Sequence, residues 1–253
     1  MFQKLVFSAF GAGLVACVAV SLLQVFTTEP LILKAEVFET AGATAPVHDH
    51  DAGATAAVET APAAAEAAPT TADAMPAGHH HDEAAWSPSE GFERTALTAL
   101  ANLVVAFAIA LIILGAMSLQ GEPIDARHGL VWGAAGFVAA SLLPSLGLPP
   151  ELPGTPSAEL FARQSWWVLT AVASALGIFL ILRGNNWPLR IAGAVLLIAP
   201  HIVGAPEAPS AAAAYPAVYA GEFAIASLVM SALLWSLSGL TAGWLHQRLS
   251  RSG

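Results

Sequence analysis

Charged residues are scarce in this chain, and basic residues are the scarcest. Only 11% of the 253 residues are charged, whereas about a quarter of a soluble domain is charged. Lysine and arginine together number 9, which is too few for a protein that must neutralise nucleic-acid phosphates, so no nucleic-acid partner is expected. A single cysteine, Cys17, excludes any intramolecular disulfide.

Catalytic signatures are also missing. The sequence has no GxxxxGK[ST] loop for nucleotide phosphates, no HExxH helix and no recognisable nucleophile–base arrangement. We therefore predict that the chain is not an enzyme. An integral-membrane enzyme is the least favoured of the functions considered.

Apolar residues, by contrast, make up 56% of the chain and are grouped in segments that can cross a bilayer. A membrane-spanning helix needs about 20 apolar residues. The candidate segments are residues 5–26, 95–119, 129–148, 166–182, 189–203 and 222–245. The sequence predicts an all-α integral membrane protein with a bundle of six transmembrane helices, or five if residues 189–203 do not cross. A cleaved signal peptide is the alternative for residues 5–26, but the apolar run continues past Cys17, which favours a retained helix.

The predicted organisation has five parts. They are a first transmembrane helix (1–26), a long extracytoplasmic loop (27–94), helices two and three (95–148), a proline-rich outer segment that we call the cap (149–165), and helices four to six with a cytoplasmic tail (166–253). Five prolines between residues 144 and 156 predict a non-helical connection there. Small residues at four-residue spacing predict close helix packing, in Gly129-x-x-x-Gly133 and along Ala9, Gly13 and Cys17.

The distribution of lysine and arginine predicts the orientation. With six spans and a cytoplasmic N-terminus, six basic residues fall inside and three outside, in agreement with the positive-inside rule. The inner set is Lys4, Arg127, Arg183, Arg190, Arg248 and Arg251, and the outer set is Lys34, Arg94 and Arg163. We expect a multi-pass protein of a bacterial inner membrane with both termini in the cytoplasm.

The loop at residues 27–94 is acidic and rich in histidine. Beyond a short segment at residues 31–39, predicted to be ordered, it is low-complexity sequence rich in Ala, Pro, Thr and Glu, which cannot bury a core. Five of the eight histidines lie in two clusters beside acids, namely His48 and His50, and then His79, His80 and His81. Neutral imidazoles with carboxylates suit Co²⁺, Ni²⁺, Zn²⁺ or Cu²⁺. We predict weak, unselective metal capture, lost as the pH falls through about 6 because imidazole must be neutral to bind metal.

Three further residues are candidate metal ligands on the outer side. Glu151 lies in the cap between prolines that fix its backbone, and the alternative role is an ion pair with Arg163. His201 and Glu222 lie near the outer ends of the fifth and sixth spans, where ionisable residues tend to face protein or water. Singly, each is explained by an ordinary interfacial role; together with the histidine loop they favour metal entry. Asp125 and His128, on the inner side, are candidates for an exit.

The order of segments resembles a known family. The N-terminal MFQKLVFSAFGAGLVA, then LKAEVFE, a His-rich loop, WSPSEGFERTALT and RHGLVWGAAGF, and finally GLPPELPG followed by RQSWW, together resemble the CbtA family of predicted cobalt transporter subunits. The resemblance runs from one end of the chain to the other. It implies cobalt uptake linked to cobalamin supply, and a small single-span partner subunit with its own histidine motif. It implies no particular ligand residues.

The sequence thus predicts a subunit that captures Co²⁺ on the outer face and passes it through the helix bundle. Ni²⁺ or Zn²⁺ as the transported ion remains open, and a homo-oligomer is compatible with the sequence. The alternative is a membrane metal sensor or chaperone anchor that binds metal without transporting it.

Overall fold

The computed structural model describes residues 2–44, 88–89, 91–121, 123–209 and 213–251. The five loop histidines lie outside these ranges. Within them the secondary structure is entirely helical, without a strand, which confirms the predicted all-α class. The elements are α1 (Phe2–Phe26), α2 (Thr28–Thr44), α3 (Phe92–Gln120), α4 (Ala126–Phe137), a π-helical turn (Val138–Leu142), α5 (Leu143–Ser145), α6 (Leu160–Arg183), α7 (Trp187–Val203) and α8 (Ala217–Arg251).

Four of the described helices, α1, α3, α6 and α8, are long and apolar enough to cross a membrane. The other two predicted spans are also helical but different in form. Helix α7 is apolar and has 17 residues, whereas the third predicted span is divided into α4, the π turn and α5. The structure therefore supports a membrane protein, and the count of six spans stays a prediction.

Helices α1, α3, α4 and α8 form the main bundle, and small residues let their backbones approach closely. Gly129 of α4 lies against the backbone of Gly239 on α8, and Gly133 lies against Trp235 one turn further along. On α1, the predicted Ala9, Gly13, Cys17 stripe is buried, and a Cβ at Gly13 would lie 3.1 Å from the backbone nitrogen of Phe107. Both small-residue patterns predicted from the sequence are confirmed as packing surfaces.

Gly133→Ala is expected to destabilise the protein by about 1–3 kcal/mol, because the added methyl group must push α4 away from the backbone of α8. A Cβ at Gly133 would lie 2.5 Å from the Trp235 carbonyl oxygen. Gly115→Ala is the matched control, since a Cβ there meets nothing within 4 Å and should stabilise α3 by up to about 1 kcal/mol. Thermal unfolding in detergent would measure both changes, and equal midpoints for the two variants would contradict the packing.

Helices α6 and α7 form a second, smaller unit. They cross at Gly177 and Gly193, where a Cβ on either glycine would lie 2.7 Å from the carbonyl oxygen of the other. This hairpin packs on the π turn and α5 and makes few contacts with α4. We call the end of the protein that carries the cap the cap end. Because the π turn and α5 lie at this end, the hairpin is joined to the main bundle chiefly there.

The structure corrects two boundaries. The predicted non-helical connection from Pro144 is too long, because the chain is still helical at Pro144 and α6 already begins at Leu160. Leu142 and Leu143 keep right-handed helical φ and ψ, so α5 continues the helical path of the π turn and is not a new helix. The short segment predicted at residues 31–39 is a helix of 17 residues. Its Leu31 and Ala35 are buried against Leu152 of the cap and Tyr215.

Candidate functional site

A polar cavity of about 790 Å³ lies at the cap end. It is open to the surface and is bordered by the cap, the first turns of α6, the end of α7 and the segment after it. Its ionisable lining residues are Glu151, Arg163, His201 and Glu207. Two carboxylates and one guanidinium leave this cavity with a net negative charge when the histidine is neutral, which favours a cation.

Glu151 is held in the cavity by two hydrogen bonds. Arg163 Nη2 donates to Glu151 Oε2 at 2.7 Å, and Ser157 Oγ donates to the same oxygen at 2.8 Å. Pro149 and Pro150 precede Glu151 directly and restrict its backbone. The ion pair with Arg163, which the sequence left as the alternative to metal binding, is therefore present in the structure.

The start of α6 places Arg163 opposite Glu151. Glu159 is the N-cap, and its carboxylate accepts from the backbone N–H groups of Phe161 at 2.8 Å and Ala162 at 2.7 Å. These two hydrogen bonds lower the pKa of Glu159, so the carboxylate that caps the helix stays ionised. A capped first turn fixes where α6 begins and therefore the direction in which the Arg163 side chain extends from the helix.

His201 lies in the last turn of α7, and its ring packs against the indole of Trp166. The two ring centroids are 6.0 Å apart and the ring planes are inclined at 71°, an edge-to-face contact. His201 Nε2 and Trp166 Nε1 are both buried, and neither finds a hydrogen-bond partner within the described residues. A buried imidazole nitrogen without a partner is a candidate ligand for a transition-metal cation.

The predicted site residues are only partly brought together. Glu151 and His201 line one cavity, whereas Glu222 is exposed on α8 and is not among the described lining residues. Glu207, which also lines the cavity, was not singled out from the sequence; its position a few residues after His201 was the available signal. Among the described residues, no three His, Cys, Asp or Glu side chains form a cluster that would hold a metal ion alone.

At the end opposite the cap, Asp125 caps α4. Its Oδ1 accepts from the backbone N–H of His128 at 2.9 Å, and the His128 Nδ1 atom lies 3.0 Å from the same carboxylate. The backbone hydrogen bond, followed by the contact with the His128 ring, lowers the pKa of Asp125. His128 and Arg183 border an apolar cleft of about 420 Å³ between α3, α4 and α6.

Comparison with known proteins agrees with the sequence pattern. A family model described as a probable cobalt transporter subunit (CbtA) matches residues 2–247, nearly the whole chain. The match confirms the resemblance seen in the sequence motifs. No curated protein and no solved structure matches the chain.

Proposed function

Because the chain belongs to the family of probable cobalt transporter subunits (CbtA), we propose that it takes up Co²⁺ through a route that starts in the cap-end cavity. The cap end would face the outside of a bacterial inner membrane, with both termini in the cytoplasm. The observation that carries the proposal is that Glu151, His201 and Glu207 all line one cavity, which the first turns of the membrane-spanning helix α6 also border. A carboxylate oxygen together with an imidazole nitrogen suits a borderline transition-metal cation.

Capture would begin in the histidine-rich loop. We propose that His48, His50, His79, His80 and His81 collect the ion weakly, and that the exposed carboxylate of Glu222 adds negative charge near the outer surface. The ion would then pass to the cavity, where Glu151 and His201 bind it. No more than two protein ligands, with water molecules completing the shell, would give an affinity low enough for release, which a transport site requires.

Energy for uptake is available from the membrane potential. Two positive charges that enter a negative interior gain about 4.6 kcal/mol per 100 mV. Release on the inner side would take place near Asp125 and His128, beside the cleft that His128 borders.

As a transporter subunit, the chain would act with a partner, for which we propose a small single-span membrane protein with its own histidine motif. The imported cobalt would be used for the synthesis of cobalamin.

Uptake of radiolabelled cobalt by cells that express this chain, alone and with its partner, tests the proposal. We expect cobalt accumulation that depends on the chain and that a variant without residues 48–83 retains at saturating cobalt, but with a higher half-saturating concentration. A membrane sensor or chaperone anchor would bind cobalt in purified form but would not raise accumulation. Binding without accumulation, with the partner present, would contradict transport.

A further inference from the structure

The apolar cleft between α3, α4 and α6 opens on the outer surface of the helix bundle. Three of its lining residues are strongly exposed, Ile112 at 62%, Val131 at 56% and Leu182 at 64%. Deeper contacts are made with small side chains, which include Ala116, Ala135, Ala139, Ala140, Ala171 and Ala175. Because α3 and α6 are long and apolar enough to cross a membrane, the occupant of the cleft must come from the membrane itself. It is either a lipid chain or a helix of another protein.

The length of the cleft distinguishes these two occupants. Its lining on α6 extends from Ala171 to Arg183, so the cleft is about 18 Å long at a rise of 1.5 Å per residue. A hydrocarbon core of about 30 Å gives each leaflet about 15 Å. A helix that crosses the membrane would need about twice the length of one leaflet, whereas the lining stops near Ala139 and Ala171, where α6 packs on the π turn. The cleft therefore matches the acyl layer of a single leaflet.

A basic side chain stands at the end of the cleft that lies opposite the cap. The described lining contains Arg183 and His128 as its ionisable residues and no acid. Arg183 belongs to the last turn of α6 and is exposed. His128 is engaged by Asp125, whose Oδ1 accepts from its backbone N–H at 2.9 Å. The positive charge at this end therefore comes from Arg183, and a guanidinium can donate two parallel hydrogen bonds to one phosphate.

Trp187 indicates the depth of this end in the membrane. It is the first residue of α7, four residues after Arg183, and it is 72% exposed. Exposed tryptophan is typical of the headgroup level of a bilayer, where the lipid phosphates also lie. Basic pockets between transmembrane helices on the cytoplasmic side bind anionic lipid headgroups, and the distribution of lysine and arginine predicts that this end is cytoplasmic. Arg183 thus lies at the level of a phosphate, and the cleft extends from it into the hydrocarbon.

We propose that the cleft is a binding site for an anionic phospholipid, with one acyl chain between α4 and α6 and the phosphate on Arg183. The inference goes beyond the proposed function and does not depend on the transported ion. The chain would fill the space between the α6–α7 hairpin and the main bundle, which are joined chiefly at the cap end. Because the same hairpin carries Arg163 and His201, the lipid would stabilise the unit that borders the cap-end cavity.

Arg183→Gln tests the headgroup contact. We expect the affinity for phosphatidylglycerol to fall roughly tenfold or more, the scale of one lost hydrogen bond to a charged group. Native mass spectrometry of the full chain in detergent, titrated with this lipid, measures the bound fraction. Arg190→Gln is the matched control, because Arg190 lies at the same end on α7 but outside the described lining, and it should bind like the wild type. No loss in Arg183→Gln, or an equal loss in both variants, would overturn the assignment.

The choice of lipid tests the role of charge. Phosphatidylcholine with the same chains has no net charge, so the wild type should bind it about as weakly as Arg183→Gln binds phosphatidylglycerol. Inorganic phosphate at millimolar concentration should not displace phosphatidylglycerol, because it offers no chain to the cleft. Equal binding of the two lipids by the wild type, or displacement by phosphate alone, would overturn the site.

Ala175→Leu tests the apolar part of the site. Ala175 lines the cleft, so a leucine there should occupy the place of the acyl chain and lower phosphatidylglycerol binding. Val172→Leu is the matched control, at a position that is 60% exposed and outside the described lining. Phosphatidylglycerol should raise the unfolding temperature of the wild type and of Val172→Leu, but not that of Ala175→Leu. Undiminished binding by Ala175→Leu would contradict the placement of the chain.

The competing occupant, a helix of another protein, is tested in the membrane. A photo-crosslinking phenylalanine derivative is placed at Val131, which lines the cleft, in cells that also express the proposed partner. We expect adducts with lipid. An adduct with a second protein that forms from Val131 but not from the control position Val172 would show that the cleft is a protein interface and would overturn the lipid site.

Discussion

Glu151→Gln is expected to lower cobalt uptake at limiting cobalt by roughly tenfold or more, while the protein reaches the membrane in normal amount. Glutamine keeps the size of the side chain and its ability to accept from Arg163 and Ser157, but it removes the negative charge. Because metal affinity depends strongly on the number of charged oxygen ligands, the loss should be one of cobalt affinity. Uptake measured across cobalt concentrations, with membrane abundance determined in parallel, checks the prediction.

Loss of the ion pair with Arg163 is the competing explanation for reduced uptake by Glu151→Gln. The contribution of this ion pair to stability decides between the two explanations. The side chains of Arg163 and Glu151 are 29% and 23% exposed, and a partly exposed pair of this kind contributes about 0–1 kcal/mol. Such a loss is too small to remove the protein from the membrane. In the proposed function Arg163 occupies the Glu151 carboxylate until a cation displaces it, so Arg163→Gln should bind cobalt more tightly and retain uptake.

Glu159→Gln serves as the control for Glu151→Gln. It removes a charge from the same cap but outside the cavity lining, and it weakens the N-cap of α6. Uptake should then fall only in proportion to protein abundance. If Arg163→Gln and Glu151→Gln instead lose uptake and abundance to the same extent, Glu151 is a structural partner of Arg163 and not a ligand.

Helix positions were largely predictable from this sequence, because long apolar segments separated by polar turns leave few alternatives. The errors occur where the same residues are compatible with more than one backbone conformation. Pro144 suggested the end of a helix, yet the helical path of the π turn continues through it to Ser145. The π turn at Val138–Leu142 has no sequence signal, since its residues, Val-Ala-Ala-Ser-Leu, suit an ordinary α-helix equally well. Such a turn depends on the packing of α4 and α6 around it.

The candidate site was predictable only in part, for a geometric reason. The pair of Glu151 and Arg163 could be inferred because both belong to one short segment. The cavity itself is formed by segments that are distant in the chain, so the only sequence signal that Glu207 lines it was its position a few residues after His201. Glu222 is exposed on α8 and does not line this cavity, since a position near the end of a span gives the depth of a residue but not the side of the helix on which it lies. Its part in metal entry stays a prediction.

His201→Phe is the second variant with a large expected effect. Phenylalanine retains an aromatic ring against Trp166, where the present ring centroids are 6.0 Å apart, but it has no nitrogen to bind a metal. We expect cobalt binding and uptake to fall by roughly tenfold or more, while stability is retained or slightly increased, because a buried nitrogen without a partner is removed. Calorimetric titration of the purified protein with Co²⁺, beside uptake in cells, measures both quantities.

The choice of metal should change together with the affinity. An imidazole nitrogen selects borderline transition metals, whereas oxygen ligands alone suit Mg²⁺ and Ca²⁺. His201→Gln offers an amide oxygen in the cavity that the carboxylates of Glu151 and Glu207 also line. This variant should therefore lose discrimination, so that excess Mg²⁺ inhibits residual cobalt uptake more than in the wild type. His201→Phe lacks that oxygen and should show the loss of uptake with less inhibition by Mg²⁺. Wild-type uptake and unchanged metal preference in both variants would mean that His201 only packs against Trp166, and that the nitrogen ligand for cobalt must come from the histidine-rich loop or from the partner subunit.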